Sequence, residues 1–534
     1  MSAFQDAQML ARFTFGLRAY FSQRLTLADA ECCVRERFAR RNENFLQLVQ
    51  RAIYGYPDSP YRALLLHAGC EFGDLRAGVE REGIETTLTK LRDAGVVVTF
   101  EQFKGRVPLE RGGKILARDA RAFDNPFLAN HFVSESGGSS GKATRIAHDL
   151  EHQAASASHH LLARAAQNVL DAPFAIWRGM LPDGSGINNI LHTAPFQRAP
   201  QKWFSQLGWR ESQLPFQHAL FSYWFVVVGK MCGAPIPFPN YTPLERAEVV
   251  AQWVYDTVRA HGSALLGTQV SRALRVALAA QEKNLDLEGA TFMIAGEPPT
   301  PAKVRAMQAS GARVFTTYGM AEVGRVAMGC AQAFDTSDTH LLADAFALIT
   351  HPIAVIDFEV TVPAFHLTTL LPTTPKIMLN VISDDYGIVE GRACGCLWAE
   401  LGFTTHLREI RSVNKLTGEG VTLIGTELVN VLETVLPARF GGSPLDYQVQ
   451  EQEDARGFTR LVLIISPRVN LNDEAEARRV VLDALDALSL NGHLTRVAWQ
   501  NADTLQIERA EPHWTARGKL LPLHLVKAAK TRKE

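Results

Sequence analysis

Residues Ser136 to Thr144 read SGGSSGKAT, a run of small, hydroxyl-bearing and glycine residues around one lysine. Such a loop can wrap backbone N–H groups around phosphate oxygens, because glycine permits positive φ and close approach. The hydroxyls add donors and Lys142 adds charge. It is not a Walker A loop: that motif needs glycine where this chain has Ser136, and Ser or Thr where it has Ala143. Plain flexible loops share the composition, so the reading leans on segments far downstream. These are AGEPP at 295–299, YGMAE at 318–322, SDDYG at 383–387 and ARGK at 516–519.

The elements that must position these segments are legible in part. Residues 1 to about 70 interleave charges with Leu, Phe and Ala and predict helices. Ile84 to Ala94 predicts another helix, Gly95 to Phe100 a short strand, and residues 101 to about 128 irregular chain. His131 to Val133 predicts a strand entering the Gly/Ser loop, and His148 to Leu170 a helix. Val249, Val250, Trp253, Val254 and Val258 share one face of a helix over Glu245 to His261. Thr291–Ala295, Pro301–Ser310 and Ala312–Thr316 predict strand, helix and strand, the unit of a parallel α/β sheet. Ligands on such sheets sit at the carboxyl ends of strands, where GEPP and YGMAE fall. After about residue 410 the character changes: Leu461–Ile465 predicts a strand, Asp473–Leu488 a helix and Leu494–Trp499 a strand. The fold class expected is α/β, a large N-terminal region with parallel or mixed sheets and a small α+β C-terminal domain. Its parts are a helical extension over 1–60, a large domain over 61–410 and a small domain over 411–534.

Composition bounds the function. A chain of 534 residues exceeds one ordinary core, and 46% hydrophobic with 21% charged residues is usual for a soluble globular protein. Lys plus Arg, 55, nearly cancels Asp plus Glu, 56, which gives no electrostatic case for nucleic acid or an anionic membrane. No apolar run reaches the ~20 residues of a membrane span, and the N-terminus lacks the ordered regions of a signal peptide. Seven cysteines in so long a chain do not make a disulfide framework. The expected location is the cytoplasm. No internal repeat or low-complexity tract is present.

The five segments, in this order and at this spacing, resemble the adenylate-forming superfamily of acyl-CoA synthetases, peptide-synthetase adenylation domains and luciferases. The likeness is nearest to its phenylacetate-CoA ligase-like branch and spans roughly residues 60 to 525. The resemblance implies a two-step reaction. A carboxylate attacks the α-phosphate of ATP to give an acyl-adenylate and pyrophosphate, and an acceptor then displaces AMP. Both steps move charge on phosphate or carboxylate oxygens, so positioning and electrostatic stabilisation are the main needs.

The resemblance also implies roles. Ser136, Gly138, Ser139, Ser140, Gly141 and Lys142 hold the β- and γ-phosphates. Glu322 helps bind Mg²⁺, a hard cation suited to carboxylate and phosphate oxygens. Gly296, Glu297 and Pro298 line the adenine pocket, and Tyr318, followed by Gly319, stacks on the base. Asp385 accepts from the ribose hydroxyls, with Asp384 its rival by one residue. Arg411 begins the hinge to the small domain, which acts as a mobile lid. Lys519 bridges carboxylate and α-phosphate during adenylation. The chain departs from the family at Gly137, Ala143, the hinge residues Val413–Asn414, and Ala321. The family usually places a hydroxyl residue at this last position, for a contact worth roughly 0.5–3 kcal/mol.

Cys330, His340, Cys394 and Cys396 are residue types suited to tetrahedral zinc, and some members of the branch carry a zinc near this region. Bare C-x-C spacing otherwise fits small buried hydrophobes. The acyl pocket is expected between residues 173–243 and 291–320, lined by Trp177, Trp203, Phe204, Trp209, Phe216, Phe221, Tyr223, Trp224 and Phe225. That lining suits an aryl or otherwise apolar acid. The expected co-substrates are ATP with Mg²⁺ and, as acceptor, coenzyme A. The alternative acceptor is an amine, a hydroxyl or a carrier-protein thiol, giving an amide- or ester-forming ligase of secondary metabolism. A degenerate nucleotide-binding protein without catalysis is the lesser alternative. The partners expected are the small-molecule acid and acceptor, a carrier protein in the alternative, and a second copy in a homodimer.

Overall fold

The run ATFMIA forms a strand because all six side chains, Ala290–Ala295, are buried from both faces. It lies at the heart of a computed structural model that describes residues 3–129, 131–135, 145–210, 216–299, 301–354, 361–412, 426–453, 459–488, 505–514, 520 and 522–525. Two hairpins come first in the chain: β1 (Leu109–Arg111) with β2 (Lys114–Ala117), and β3 (Phe132–Glu135) with β4 (Arg145–His148). A twelve-stranded sheet follows. Its parallel half comprises β5 (Phe174–Trp177), β6 (Lys202–Ser205), β7 (Pro239–Tyr241), β8 (Ala264–Gln269), β9 (Ala290–Ala295) and β10 (Arg313–Met320). Its antiparallel half adds β11 (Gly324–Gly329), β12 (Thr339–Leu341), β13 (Phe346–Ala354), β14 (Thr361–Thr369), β15 (Val381–Gly391) and β16 (Thr405–Ser412).

The strand order is β13-β14-β15-β16-β12-β11-β10-β9-β8-β5-β6-β7. From β5 the chain runs outward through β6 and β7, then crosses back to build β8, β9 and β10 on the other side. β5 and β8 therefore flank a topological switch point, where a crevice opens beyond the carboxyl ends of parallel strands.

Helices cover both faces of the parallel half. One apolar cluster joins Val250 and Val254 of the helix Ala247–His261 to Leu266, Phe292 and Ile294. That helix stops at Gly262, whose φ of 75° closes it in the left-handed conformation open to glycine. The opposite cluster joins Ile176, Trp203, Leu265 and Met293 to Phe13 and Leu17 of the first helix, Ala3–Phe21. A third cluster packs Ala30, Val34 and Phe45 against the antiparallel half. The N-terminal helices thus bury their apolar stripes in the same cores as the large sheet.

A separate four-stranded sheet is built from β17 (Tyr447–Glu453), β18 (Thr459–Ile465), β19 (Leu505–Arg509) and β20 (Leu523–Leu525), in the order β19-β18-β17-β20. The helix Glu474–Leu488 shares its apolar core. This is the small α+β unit expected after the large sheet. Among the contacts that tie it to the helices of the parallel half, Lys303 pairs with Glu433 at 2.6 Å, both nearly buried, and the Arg275 guanidinium lies 3.4 Å from the Trp514 ring centre.

Two local expectations need correction. Residues 95–100 do not form a strand; Val98 makes one parallel bridge to Val381, and a short helix, Phe100–Phe103, begins at once. Thr99 and Gln102 form a capping box whose reciprocal bonds favour the helix start. The stretch to 128 is also more ordered than expected, holding the β1–β2 hairpin. SDDYG is part of β15. The strand expected at 494–499 lies outside the described residues. No helix among those described is long and apolar enough to cross a membrane.

Candidate active site

Two adjoining hollows open at the carboxyl ends of the parallel strands. The first is a cleft lined by Gly296, Glu297, Pro298, Tyr318, Asp385 and Arg411, together with Thr316, Thr317, Ser337 and Thr339. Residues singled out in four distant segments therefore share one wall system. Gly296 follows β9 with φ of 83°, which lets the chain turn away from the strand end. Tyr318 lies on β10, Asp385 on β15 and Arg411 on β16.

The Tyr318 hydroxyl donates to Asp385 Oδ2 at 2.7 Å. In the sheet, β10 and β15 are separated by β11, β12 and β16. A direct bond across that interval means that the antiparallel half curls strongly, bringing its far strands back over β10. Burial and the neighbouring Asp385 carboxylate raise the Tyr318 pKa well above its ordinary value, so the phenol stays protonated as donor. Asp384, the rival carboxylate, adopts φ of 61° and is not among the residues lining the cleft. Asp is one of the few residue types that tolerate this conformation.

The second hollow, about 210 Å³, sits over the switch point. Gly296 and Gly319 belong to both hollows, and Met320 and Ala321 line the second. A Cβ on Gly319 would lie 2.5 Å from the Gly324 carbonyl, so the β10–β11 approach requires glycine there. Arg178, just beyond β5, and Gln269, at the end of β8, form the far side; Asn188, Asn189 and His192 of the helix Ser185–Thr193 form the roof.

Ser134 and His148 also line this hollow, and their side chains meet at 2.8 Å between Ser134 Oγ and His148 Nε2. They stand on β3 and β4, the strands on either side of the Gly/Ser segment. Burial holds the His148 imidazole neutral, with its pKa pushed down to about 3. Ser136, Gly138, Ser139, Ser140, Gly141 and Lys142 themselves lie outside the described residues, as does Lys519.

Glu322 follows β10 and is buried; its carboxylate Oε1 stands 3.2 Å from Lys104 Nζ. Lys104 carries no motif, so nothing in the sequence marks it. Glu297 accepts a hydrogen bond from the Ser271 hydroxyl.

The expected aromatic lining is not found. Trp177, Trp203, Phe204 and Phe225 are fully packed in the cores on the two faces of the sheet. Phe221, Tyr223 and Trp224 pack partly against one of these cores, while Trp209 and Phe216 are exposed. None of the nine lines the hollow over the switch point. A fully parallel strand needs apolar groups on both faces, and that demand absorbs the aromatics of β5 and β6.

A third cluster lies behind the cleft. Cys330, His340, Cys394 and Cys396 bring their ligand atoms within 4.8 Å of one another. The Sγ separations are 3.6 Å for Cys330–Cys394, 4.0 Å for Cys330–Cys396 and 3.3 Å for Cys394–Cys396. His340 Nε2 is 3.5 Å from Cys394 Sγ and 3.2 Å from Cys396 Sγ. A tetrahedron with metal–sulfur bonds of ~2.3 Å has edges of about 3.8 Å, so the set has the right size. His340 Nδ1 contacts the Phe403 carbonyl at 2.7 Å. That bond places the proton on Nδ1 and leaves the Nε2 lone pair toward the sulfurs, the orientation a ligand needs. The Cys396 thiol is driven down, first by the hydrogen bond from Cys330 and further by His340, against the cost of burial.

No family model and no curated protein matches the chain. Solved structures do align with it. An anthranilate CoA ligase in complex with anthranoyl-AMP is 12% identical, with 87% of this chain and 89% of that chain covered and a TM-score of 0.43. An amide bond synthetase from Marinactinospora thermotolerans is 12% identical, with 95% and 98% covered and a TM-score of 0.42. An acyl-CoA synthetase from Brucella canis is 12% identical, with 87% and 85% covered and a TM-score of 0.36. At such identities and TM-scores the likeness carries no weight for the chemistry, which rests on the residues themselves.

Proposed function

We propose that this protein activates a carboxylic acid with ATP, forming an acyl-adenylate and pyrophosphate, and passes the acyl group to an acceptor. One observation carries the reading: Gly296, Glu297, Pro298, Tyr318, Asp385 and Arg411 share one cleft, which meets a second hollow at Gly296 and Gly319. A nucleotide in the cleft would place its base by Tyr318 and its ribose hydroxyls by Asp385. The acid would occupy the hollow, with the reacting groups meeting beside Gly296, Gly319 and Ala321. Ala321 offers no hydroxyl there, so backbone donors, Lys142 and Lys519 must supply the charge stabilisation.

Glu322 fits a share in a Mg²⁺ site. It is a buried carboxylate beside the hollow, and phosphate oxygens and water would complete the shell of a cation that rarely takes an all-protein cage. When bound, that ion neutralises phosphate charge. Coenzyme A is the first acceptor to test. Cys330, His340, Cys394 and Cys396 fit a closed, structural zinc site. It would brace the chain from Ser337 to His340, whose Ser337 and Thr339 line the cleft.

ATP–pyrophosphate exchange with Mg²⁺ across a panel of acids tests the reading. Exchange dependent on one acid supports it. ATP binding without exchange for any acid would leave a nucleotide-binding protein without this chemistry.

A further inference from the structure

The helix Phe216–Met231, between β6 and β7 in the chain, holds no Asp, Glu or Arg and a single Lys among its sixteen residues. One face is spent on the core: Ala219, Ser222, Phe225, Val226 and Gly229 are buried, and Phe225 and Val226 share a cluster with Trp203 and Met293. The opposite face is apolar as well. Phe216 is 61% exposed, Leu220 54%, Val227 45% and Met231 82%, so nothing among the described residues covers them. At 3.6 residues per turn the four fall within about 60° of one another around the helix axis. A helix lying on a soluble protein turns polar residues to water; this one turns an apolar stripe.

The patch continues past the helix. The exposed Trp209 has its ring centre 5.6 Å from that of Phe216, and the exposed Phe238 lies 6.2 Å from the Tyr223 ring centre. Lys230 Nζ sits 4.5 Å from the Phe238 ring centre, so the helix's one Lys stands beside the stripe and not on it. At these exposures the six apolar side chains offer on the order of 600 Å², the upper end of what a monomer leaves in water. A standard interface takes about 800 Å² from each partner, of which about 55–65% is apolar. The patch supplies that apolar share.

The order of the stripe residues points to the partner. Phe216 and Met231 lie equally far from the Tyr223–Trp224 peptide, one on each side, and so do Leu220 and Val227. A two-fold axis through that peptide therefore makes the stripe its own complement, the condition for an isologous interface. We propose that this face binds a second copy of the chain, in a two-fold dimer whose Phe216–Met231 helices cross antiparallel at Tyr223 and Trp224. Phe216 of one copy then meets Met231 of the partner subunit, a rigid ring against a side chain that adapts its shape. Leu220 meets Val227 of the partner subunit. A lipid surface is the poorer match, because helices that lie on membranes carry Lys and Arg on a free polar face, and here the second face is spent on the core. The inference needs nothing from the adenylation reading.

Sedimentation velocity of the full chain, at concentrations from well below to well above about 1 μM, tests it. Wild-type protein is expected to dimerise with a micromolar or tighter Kd. Leu220→Lys and Val227→Glu lie outside the core, and each should weaken the dimer a hundredfold or more, since each buries two unpaired charges in it. The double variant Leu220→Lys/Val227→Glu sets opposite charges against each other across an antiparallel crossing and should recover tenfold or more of that loss. Wild-type protein that stays monomeric overturns the proposal, as does a dimer that survives both single variants. A double variant no tighter than the singles overturns the antiparallel crossing. Thermal melts confirm folding; if the charged variants do not fold, Met231→Ser should weaken the dimer fivefold or more, and an unchanged dimer overturns the proposal. Monomeric wild-type protein that floats with neutral phosphatidylcholine vesicles would assign the stripe to lipid instead.

Discussion

Lys104 Nζ lies 3.2 Å from Glu322 Oε1, with the two side chains only 9% and 3% exposed. The ammonium also sits 4.4 Å from the Phe100 ring centre, which helps hold it in place. Glu322 is the carboxylate proposed for Mg²⁺, so it already has a cationic partner in Lys104. Lysine and magnesium then compete for one carboxylate. Lys104→Met is expected to lower the Mg²⁺ concentration for half-maximal exchange several-fold, and Glu322→Gln to raise it tenfold or more. Titration of exchange rate against free Mg²⁺ checks both; shifts in the same direction would sink the competition.

Asp385 and Asp384 are separated by one residue and by role. Asp385 lines the cleft and accepts from Tyr318, while Asp384 holds a left-handed backbone. Asp385→Ala should weaken ATP binding by tenfold or more. Asp384→Asn keeps the tolerated conformation and should leave ATP binding within about threefold. Tyr318→Phe removes a hydrogen bond to a charged group, worth about 1.5–3 kcal/mol, and should fall between the two. Calorimetric ATP affinities for the three variants rank them.

How much of this was legible depended on whether a residue worked through a local motif or through a fold-level meeting. Gly296, Tyr318 and Asp385 sit in short segments whose composition marks them, and the β9-helix-β10 unit follows from its apolar periodicity. The cysteines were visible as residue types, but the meeting of Cys330 with Cys394 required the β11, β12 and β16 pairings. Lys104, Arg178 and Arg325 carry no local signal at all. Each is an ordinary basic residue until tertiary packing buries it beside the site. The aromatic stretch misled for a physical reason: residues of a doubly covered parallel strand look like pocket lining and serve as core.

The cysteine–histidine cluster predicts one zinc per chain in protein purified without chelator. Cys396→Ser should abolish retention, since it removes the thiolate closest to His340 Nε2. His340→Ala should do the same and lower the melting temperature, because a structural site contributes its binding free energy to the fold. Elemental analysis beside thermal melts reads both. Metal-free wild-type protein with an unchanged melt would remove zinc from the account.

Stability should fall with acid in a specific window. Burial pushes His148 down to about 3 and His152 and His366 to about 4, and it holds His160 and His192 well below the ordinary value of 6.5. These groups are neutral in the folded chain and protonate more readily in the unfolded one. Where the unfolded state binds more protons, stability rises with pH. The sign therefore gives full stability above about pH 6.5, lost progressively as pH falls toward 4, a window set by these shifts. Melting temperatures from pH 8 to 4 should decline mainly below 6.5. His366→Gln should flatten part of that decline, since its two ring nitrogens have no hydrogen-bond partner among the described residues to lose.

Lys519 offers the sharpest separation of the two proposed half-reactions. Trp514 and Leu520 form an antiparallel bridge on either side of it, and Trp514 stacks on Arg275 of the helix that starts from β8. A lysine that neutralises charge between carboxylate and α-phosphate acts only while the adenylate is being formed. Lys519→Ala should therefore cut pyrophosphate exchange by 10²-fold or more, the scale of removing one such electrostatic group. Consumption of a chemically made acyl-adenylate by the acceptor should change far less. Equal loss in both assays would assign Lys519 to binding or folding, and unchanged exchange would remove it from the reaction.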